Sequence, residues 1–93
     1  MKTLRMRIRE SQGRHLRPAT ELSSLAHRFA SRMTLTSHGI SADCRSLLSL
    51  LLLEAGQGQP MQVDIEGPDE DQAYAELCGL LNSPDGAWLN RLE

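Results

Sequence analysis

Aromatic residues are scarce in this sequence: phenylalanine, tyrosine and tryptophan occur once each and together make up 3% of it. In the half of the chain that carries the positive charge, Phe29 is the only aromatic residue. It therefore lacks the set of aromatic side chains on which proteins stack unpaired bases. We expect no nucleic-acid partner.

Motifs for metal and nucleotide binding are also missing. Cys44 and Cys78 stand 34 positions apart, and no cysteine or histidine cluster has the spacing of a zinc site. His27 and His38 are expected on the surface. No glycine-rich phosphate loop and no His-Glu-x-x-His sequence occurs. We expect no metal, and two reduced cysteines that behave as small apolar residues; a single disulfide is the alternative.

Long apolar runs are absent. The longest, residues 50–53, is far shorter than the roughly 20 residues that span a bilayer. The first residues lack the apolar stretch of a secretory signal. We expect a cytoplasmic protein without membrane insertion. Its 93 residues suffice for one hydrophobic core, which we assign to a domain over residues 1–86 followed by a tail over residues 87–93.

The net charge of −2 conceals a strong asymmetry. Up to Ser46, nine basic residues stand against three acidic ones; from Leu47 onward, one arginine stands against nine acidic residues. Such a division can steer an anionic substrate or a charged partner. It is also compatible with ordinary surface composition, and the acids between residues 64 and 76 are expected to form a solvated surface.

Hydrophobic periodicity predicts seven elements. Apolar residues alternate with polar ones in four stretches, as in half-buried strands, and recur at helical spacing in three others. The strands are predicted around residues 4–8, 33–36, 40–42 and 61–65, and the helices over residues 16–29, 47–53 and 69–81. The order strand, helix, strand, strand, helix, strand, helix predicts an α+β fold, a four-stranded antiparallel sheet with three helices on one face.

The second predicted helix carries more leucine than a core-facing stripe requires. Residues 47, 48 and 50–53 are all leucine. A short helix that is apolar on nearly all sides buries one face and leaves the remaining leucines available for another contact.

One group of residues has the pattern of a reactive site: Gly13-Arg14-His15-Leu16-Arg17-Pro18. Pro18 suits the first turn of a helix, and a helix N-terminus favours a phosphate-sized anion. The same positive potential keeps the imidazole of His15 neutral and nucleophilic. Arg17, with Arg14 as a further candidate, is placed to hold phosphoryl oxygens. The pattern predicts a phosphoryl acceptor; a loop histidine among scattered arginines is the alternative.

The stretch from Gly13 to Ala19 resembles the active-site signature of HPr, the histidine-containing phosphocarrier of the phosphoenolpyruvate-dependent phosphotransferase system. Residues 43–48 (Asp-Cys-Arg-Ser-Leu-Leu) are similar to the family's serine helix, and residues 63–70 are similar to its last strand and the start of its last helix. The resemblance covers about residues 2–83 and looks closest to the nitrogen-related branch, NPr. It implies the family's fold, an open-faced β-sandwich.

The resemblance also implies roles for particular residues. His15 matches the histidine that carries the phosphoryl group on Nδ1, and Arg17 matches the arginine that contacts it. Ser46 matches the serine that a dedicated kinase phosphorylates in some members, while a plain helix cap is the alternative for this residue. The positions implied to bind partner proteins are Leu16, Thr20, Leu47, Leu48 and Leu51.

Two positions depart from the family's pattern. Arg14 replaces the usual apolar residue before the histidine and adds positive charge. Leu16 replaces the usual small residue after it and adds bulk where a partner approaches. Both differences bear on which partners the protein serves.

The implied function is that of a phosphocarrier with no substrate turnover of its own and no bound cofactor. Its partners would be an Enzyme I-type kinase, an Enzyme IIA-type acceptor and, through Ser46, a serine kinase; we expect a monomer. Two alternatives stay open. One is a regulatory protein of the same fold that senses phosphorylation without onward transfer. The other is a generic α+β module that binds a ligand or RNA.

Overall fold

The computed structural model describes residues 1–8, 16–37, 39–52, 60–82 and 89–92, and at residues 8, 16–19, 51–52, 81–82 and 89–92 it describes the backbone only. Within these ranges five strands and three helices follow one another. They are β1 (Lys2–Ile8), α1 (Leu16–His27), β2 (Arg32–Ser37), β3 (Ile40–Asp43), α2 (Leu47–Leu52), β4 (Pro60–Glu66), α3 (Glu70–Asn82) and β5 (Leu89–Leu92).

The strands form one antiparallel sheet in the order β3-β2-β4-β1-β5. β4 is the central strand, and its Val63 lies opposite Leu4 of β1 on one side and Leu35 of β2 on the other. All three side chains are buried, and Val63 is fully so. Because directly opposed residues share a face of the sheet, this register aligns the apolar positions of three strands into one buried layer.

The helices cover that buried face. α1 packs on α2 and α3, α2 contacts β3, and α3 contacts β1 and β4. The core consists of alternate strand residues together with one apolar stripe from each helix; its buried members include Leu4, Met6, Met33, Leu35, Met61, Val63, Ile65, Leu22, Leu25, Leu50, Ala73 and Leu77. The opposite face carries exposed polar residues such as Arg5 and Arg7. The predicted open-faced sandwich of sheet and helices is confirmed.

A fifth strand extends the predicted four-stranded sheet. β5 pairs with β1 in antiparallel register, with Ile8 opposite Leu89 and Arg5 opposite Leu92. Its sequence, Leu-Asn-Arg-Leu, has no alternation of apolar and polar residues. The pairing instead supplies hydrogen-bond partners to the backbone groups of β1 that face away from β4. This strand lies in the tail; the division into a domain and a tail stays a prediction.

The charge asymmetry of the sequence is partly balanced within the fold. Lys2 Nζ lies 3.3 Å from Asp71 Oδ1, and Arg28 Nη2 donates a hydrogen bond to Glu76 Oε1 at 2.7 Å. Both pairs join the basic half of the chain to the acidic α3. They are exposed, so each contributes little to stability, but they place opposite charges of the two halves side by side.

Candidate functional site

The first turn of α1 follows directly on the candidate acceptor. α1 begins at Leu16, the residue after His15; His15, Arg14 and Gly13 lie outside the described residues. The first turn contains no acidic side chain. Amides at a helix start have no intrahelical acceptor and carry the positive end of the helix dipole. α1 starts where the sequence predicts a helix, and the placement of His15 at its N-terminus stays a prediction.

The other predicted residues of α1 lie in its first two turns. Arg17 belongs to the first turn, where the structure describes the backbone only. Thr20 follows Leu16 by four residues, which places both on one side of the helix, and Thr20 is exposed. The contact of Arg17 with a phosphoryl group stays a prediction.

Ser46 caps α2. Its Oγ accepts a hydrogen bond from the Ser49 amide at 3.2 Å and donates one to Ser49 Oγ at 2.9 Å, while its carbonyl accepts the first helical bond from Leu50 N at 3.0 Å. This is the geometry of an N-cap residue. Ser46 is half-buried. The structure thus gives this serine a structural role, and its modification stays a prediction.

The leucines of α2 divide between core and surface. Leu50 is 6% exposed, whereas Leu47 is 37% and Leu48 is 67% exposed. Leu51 is described by its backbone only. The excess of leucine therefore does produce exposed apolar side chains, as the sequence predicted. We refer to Leu47 and Leu48, whose role in partner binding stays a prediction, as the docking leucines.

The start of α2 lies beside the end of α1. Arg45 Nε donates a hydrogen bond to Ala26 O at 3.4 Å, and Arg45 Nη2 donates another to Phe29 O. The predicted helix over residues 16–29 ends at His27, and Arg45 binds carbonyls on both sides of that end. The docking leucines follow Arg45 by two and three residues. The start of α2 therefore lies near the C-terminal end of α1.

Sequence reasoning missed the roles of Asp43 and Arg45 at this site. Asp43 Oδ1 accepts a hydrogen bond from the Arg45 amide at 2.9 Å, and Asp43 O accepts one from the Ser46 amide at 2.9 Å. An aspartate that binds the amide two residues later is a recognised turn signal, so this part was readable from the sequence. The contacts of the Arg45 side chain with α1 carry no local signal.

Histidine and cysteine side chains elsewhere have ordinary surroundings. His27 is exposed, as predicted, and its Nδ1 lies 2.8 Å from Ser23 O; since a carbonyl only accepts, Nδ1 donates. His38 lies outside the described residues. Both cysteines are free thiols, and burial, reinforced by the negative charge of Asp43, raises the pKa of Cys44 to about 12.

Clusters of metal-binding side chains are absent from the part of the chain that the structure describes: no three His, Cys, Asp or Glu residues there could hold one ion. Within the same ranges, no helix is both long enough and apolar enough to cross a membrane.

Comparison with known proteins identifies close relatives over most of the chain. The family described as "PTS HPr component phosphorylation site" matches residues 2–83. The Phosphocarrier protein NPr of Proteus mirabilis is 34% identical over 80 residues, which are 85% of this chain and 89% of the relative. The Phosphocarrier protein HPr of Haemophilus influenzae is 39% identical over 71 residues, which are 76% of this chain and 84% of the relative.

Solved structures show the same fold. The crystal structure of HPr-C-His from Thermoanaerobacter tengcongensis superposes with a TM-score of 0.80 at 26% sequence identity, and the superposition covers 94% of this chain and 97% of that chain.

Proposed function

This chain belongs to the HPr family of phosphocarrier proteins of the phosphotransferase system, and we propose that it accepts a phosphoryl group on His15 from a phosphoenolpyruvate-dependent Enzyme I-type kinase and passes it to an Enzyme IIA-type protein. It is a carrier with a phosphohistidine intermediate, not an enzyme with substrate turnover of its own. In the cell it acts in the cytoplasm, as a monomer.

The observation that carries this proposal is the start of α1 at Leu16, directly after His15 and inside the stretch that the family matches. The N-terminal amides of α1 favour an anion at this point of the chain. Their positive potential opposes protonation of a neighbouring imidazole, so the ring keeps a lone pair for attack on phosphorus.

The transfer itself exchanges one bond to phosphorus for another. A lone pair on Nδ1 of His15 attacks the phosphorus, and the bond between phosphorus and the kinase breaks with its electron pair leaving on the kinase. The proton on Nε2 stays on the ring through both transfers, so the imidazole is neutral again once the phosphoryl group is passed on. Arg17 holds the phosphoryl oxygens through charge-assisted hydrogen bonds, and no cofactor takes part.

Partner proteins meet the chain on the surface formed by α1 and α2. Leu16 and Thr20 on α1, together with the docking leucines and Leu51 on α2, are the residues we assign to this surface. Leu48 is 67% exposed, which supports the assignment. Covering an exposed leucine with a partner removes apolar surface from water and so makes the binding free energy more favourable. Ser46 is a site at which a serine kinase would add negative charge at this surface.

The experiment is phosphorylation of the full chain with labelled phosphoenolpyruvate and an Enzyme I-type kinase. We expect acid-labile label on the wild type and on His27→Ala, which removes the exposed histidine at the end of α1, and none on His15→Ala. Circular dichroism verifies that His15→Ala stays folded. Acid-labile label on folded His15→Ala would place the acceptor on another histidine and contradict the proposal.

Onward transfer separates a carrier from a regulatory protein. The purified phosphoprotein is mixed with an Enzyme IIA-type protein of the nitrogen-related kind or of the sugar-transport kind, and the label on each is followed. We expect the label to move to the nitrogen-related acceptor. Label that stays on this chain with both acceptors would favour a protein that senses phosphorylation and acts by binding.

A further inference from the structure

We infer that Arg45 is a positioning residue for partner docking: it connects the start of α2 to the end of α1 and so sets the orientation in which a partner meets the docking leucines. The inference rests on the proposed function, because it concerns the same transfer between proteins. Its basis is two sets of contacts: the Arg45 side chain binds the end of α1, and the Arg45 backbone binds Asp43 in the turn before α2.

The Arg45 guanidinium binds the backbone at the C-terminal end of α1. Nε donates to Ala26 O at 3.4 Å and Nη2 donates to Phe29 O. Ala26 lies in the last turn of α1, where carbonyls have no intrahelical donor and form the negative end of the helix dipole. A planar guanidinium offers several donors in fixed directions and can serve two carbonyls at once.

The backbone around Arg45 is held to the sheet. The Arg45 amide donates to Asp43 Oδ1 at 2.9 Å, and the preceding residue, Cys44, is fully buried and donates from its amide to Met33 O at 2.9 Å. The turn from which the Arg45 side chain extends is thereby attached to β2 and β3. Arg45 thus joins a turn fixed on the sheet to the end of a helix packed above it.

α2 needs such a connection because it is short. It has six residues, and helices shorter than about 12 residues are marginal on their own. Leu50 anchors its middle, since that side chain is 6% exposed. Of the docking leucines, Leu48 is 67% exposed and contributes little burial, while Leu47 keeps 37% of its surface exposed. The direction in which they point therefore depends on how the start of α2 is held, and Arg45 ties that start to the end of α1.

Arg45 acts at a distance from the reacting atoms. Ala26 follows Leu16 by ten residues, which is about 15 Å along a helix axis, and His15 precedes Leu16. A guanidinium bound at Ala26 is therefore remote from the helix start at which the phosphoryl group is bound. We expect loss of Arg45 to change recognition of the partner and to leave the transfer step itself unchanged.

The experiment measures transfer from the phosphorylated Enzyme I-type kinase as the concentration of the chain is varied. Arg45→Ala should raise KM about three- to tenfold, which corresponds to the free energy of about one net hydrogen bond, with kcat within about twofold of the wild type. Arg45→Lys, which keeps the charge and one possible contact, should recover part of the loss. Arg32→Ala is the matched control: Arg32 is exposed and lines the same cleft as Arg45, so it removes the same charge there.

Two further measurements distinguish positioning from direct contact with the partner. In a Leu48→Ala background, Arg45→Ala should raise KM by less than it does alone, because both changes act through the same surface. In the free chain, Arg45→Ala should speed hydrogen exchange of the α2 amides and leave that of the β4 amides unchanged. Arg45→Lys should give an α2 exchange rate between those of the wild type and Arg45→Ala. This measurement tests the inference even where Arg45→Ala folds poorly.

The inference fails if Arg45→Ala leaves KM unchanged or lowers kcat alone. It also fails if the effects of Arg45→Ala and Leu48→Ala on KM multiply while α2 exchange is unaltered, since Arg45 would then touch the partner itself. A wild-type chain that takes no label would refute the proposed function, whereas a labelled wild type with an unchanged Arg45→Ala KM would refute this inference alone.

Discussion

Ser31 and Asp69, which are far apart in the sequence, each donate a hydrogen bond to the other. The Ser31 amide donates to Asp69 Oδ1 at 2.8 Å, and the Asp69 amide donates to Ser31 Oγ at 3.2 Å. The Ala30 amide donates to Asp69 Oδ2 at 2.8 Å. Asp69 directly precedes α3 and Ser31 directly precedes β2, so this pair fixes the start of α3 against the start of β2.

The carboxylate of Asp69 makes the free energy of unfolding depend on pH in the acid range. Hydrogen bonds from the Ser31 side chain, and then from the Ala30 amide, lower the pKa of Asp69 below its ordinary value of 3.8. A lowered pKa in the folded state means that the stabilisation is present above pH 3.8 and is lost as the pH falls through the folded-state value. Asp69→Asn should therefore lower the free energy of unfolding most at neutral pH, and the difference from wild type should shrink in acid.

Urea denaturation from neutral pH into acid measures this dependence. Asp71→Asn is the control, since Asp71 lies two residues later with a side chain 82% exposed, and it should have the smaller effect at neutral pH. A deficit of Asp69→Asn that stays constant into strong acid would show that the charge of Asp69 is not what stabilises the pair.

Substitution by alanine should change the free energy of unfolding in opposite directions at two glycines. A Cβ at Gly67 would lie 2.6 Å from the Ser31 Cα, closer than a backbone atom allows, whereas a Cβ at Gly79 would meet nothing within 4 Å. Gly67→Ala should destabilise the protein by about 1–3 kcal/mol through overpacking. Gly79→Ala, in the exposed part of α3, should stabilise it by about 0.5–1 kcal/mol. Thermal or urea unfolding tests both, and equal effects would contradict the described approach of Gly67 to Ser31.

Leu48 and Leu50 should separate docking from folding. Leu50→Ala empties a buried site and should lower the free energy of unfolding by about 2–4 kcal/mol. Leu48→Ala should change it by less than about 0.5 kcal/mol and instead raise KM for phosphoryl transfer. Ile40→Ala, which truncates a side chain 60% exposed on β3, is the control and should leave KM unchanged. A normal KM for Leu48→Ala would remove Leu48 from the docking surface.

Cys44 should be unreactive in the folded protein. Burial raises its pKa to about 12, so the thiolate that attacks alkylating agents is nearly absent at pH 8. Iodoacetamide should modify only the half-buried Cys78 in the native state, and Cys44 only after unfolding in urea; mass spectrometry counts the groups added. Cys78→Ser should therefore take up no label until it is unfolded. Native labelling of Cys44 would mean that its site opens readily.

Arg17 should affect transfer and not folding. As a contact of the phosphoryl oxygens, it stabilises charge during transfer, so Arg17→Ala should slow phosphorylation of His15 without changing the unfolding midpoint. Arg5→Ala removes an exposed arginine from the outer face of β1 and should leave the rate unchanged. Equal rates for Arg17→Ala and the wild type would exclude Arg17 from the site.

Local sequence pattern was sufficient for most of the fold. The alternation around Val63 predicted β4, and the alternation from Met33 to Ala42, broken at Gly39, predicted the β2–β3 hairpin. Gly39 has a positive φ of 76° at that turn, which glycine adopts without strain. α1 ends two residues earlier than expected, and β5 was not predicted, because its residues carry no alternation and it forms by pairing with β1.

For the candidate site, the sequence predicted the helix start after His15 and the exposure of some leucines of α2. It could not say which leucines: Leu48 and Leu50 are the same residue type two positions apart, and only the packing of α2 on the core makes one exposed and the other buried. The roles of His15 and Arg17 remain predictions from the motif.

The sequence by itself determined seven of the eight described elements and the reactive motif, because periodicity, proline placement and the His15 to Pro18 spacing act over a few neighbouring residues. Only the tertiary structure decided which distant groups meet. Arg45 reaches Ala26 over 19 positions, and Asp69 reaches Ser31 over 38. Such contacts depend on how sheet and helices pack, since the hydrogen-bonding capacity of an arginine or an aspartate is the same wherever it stands, and the fold alone brings its partner within reach.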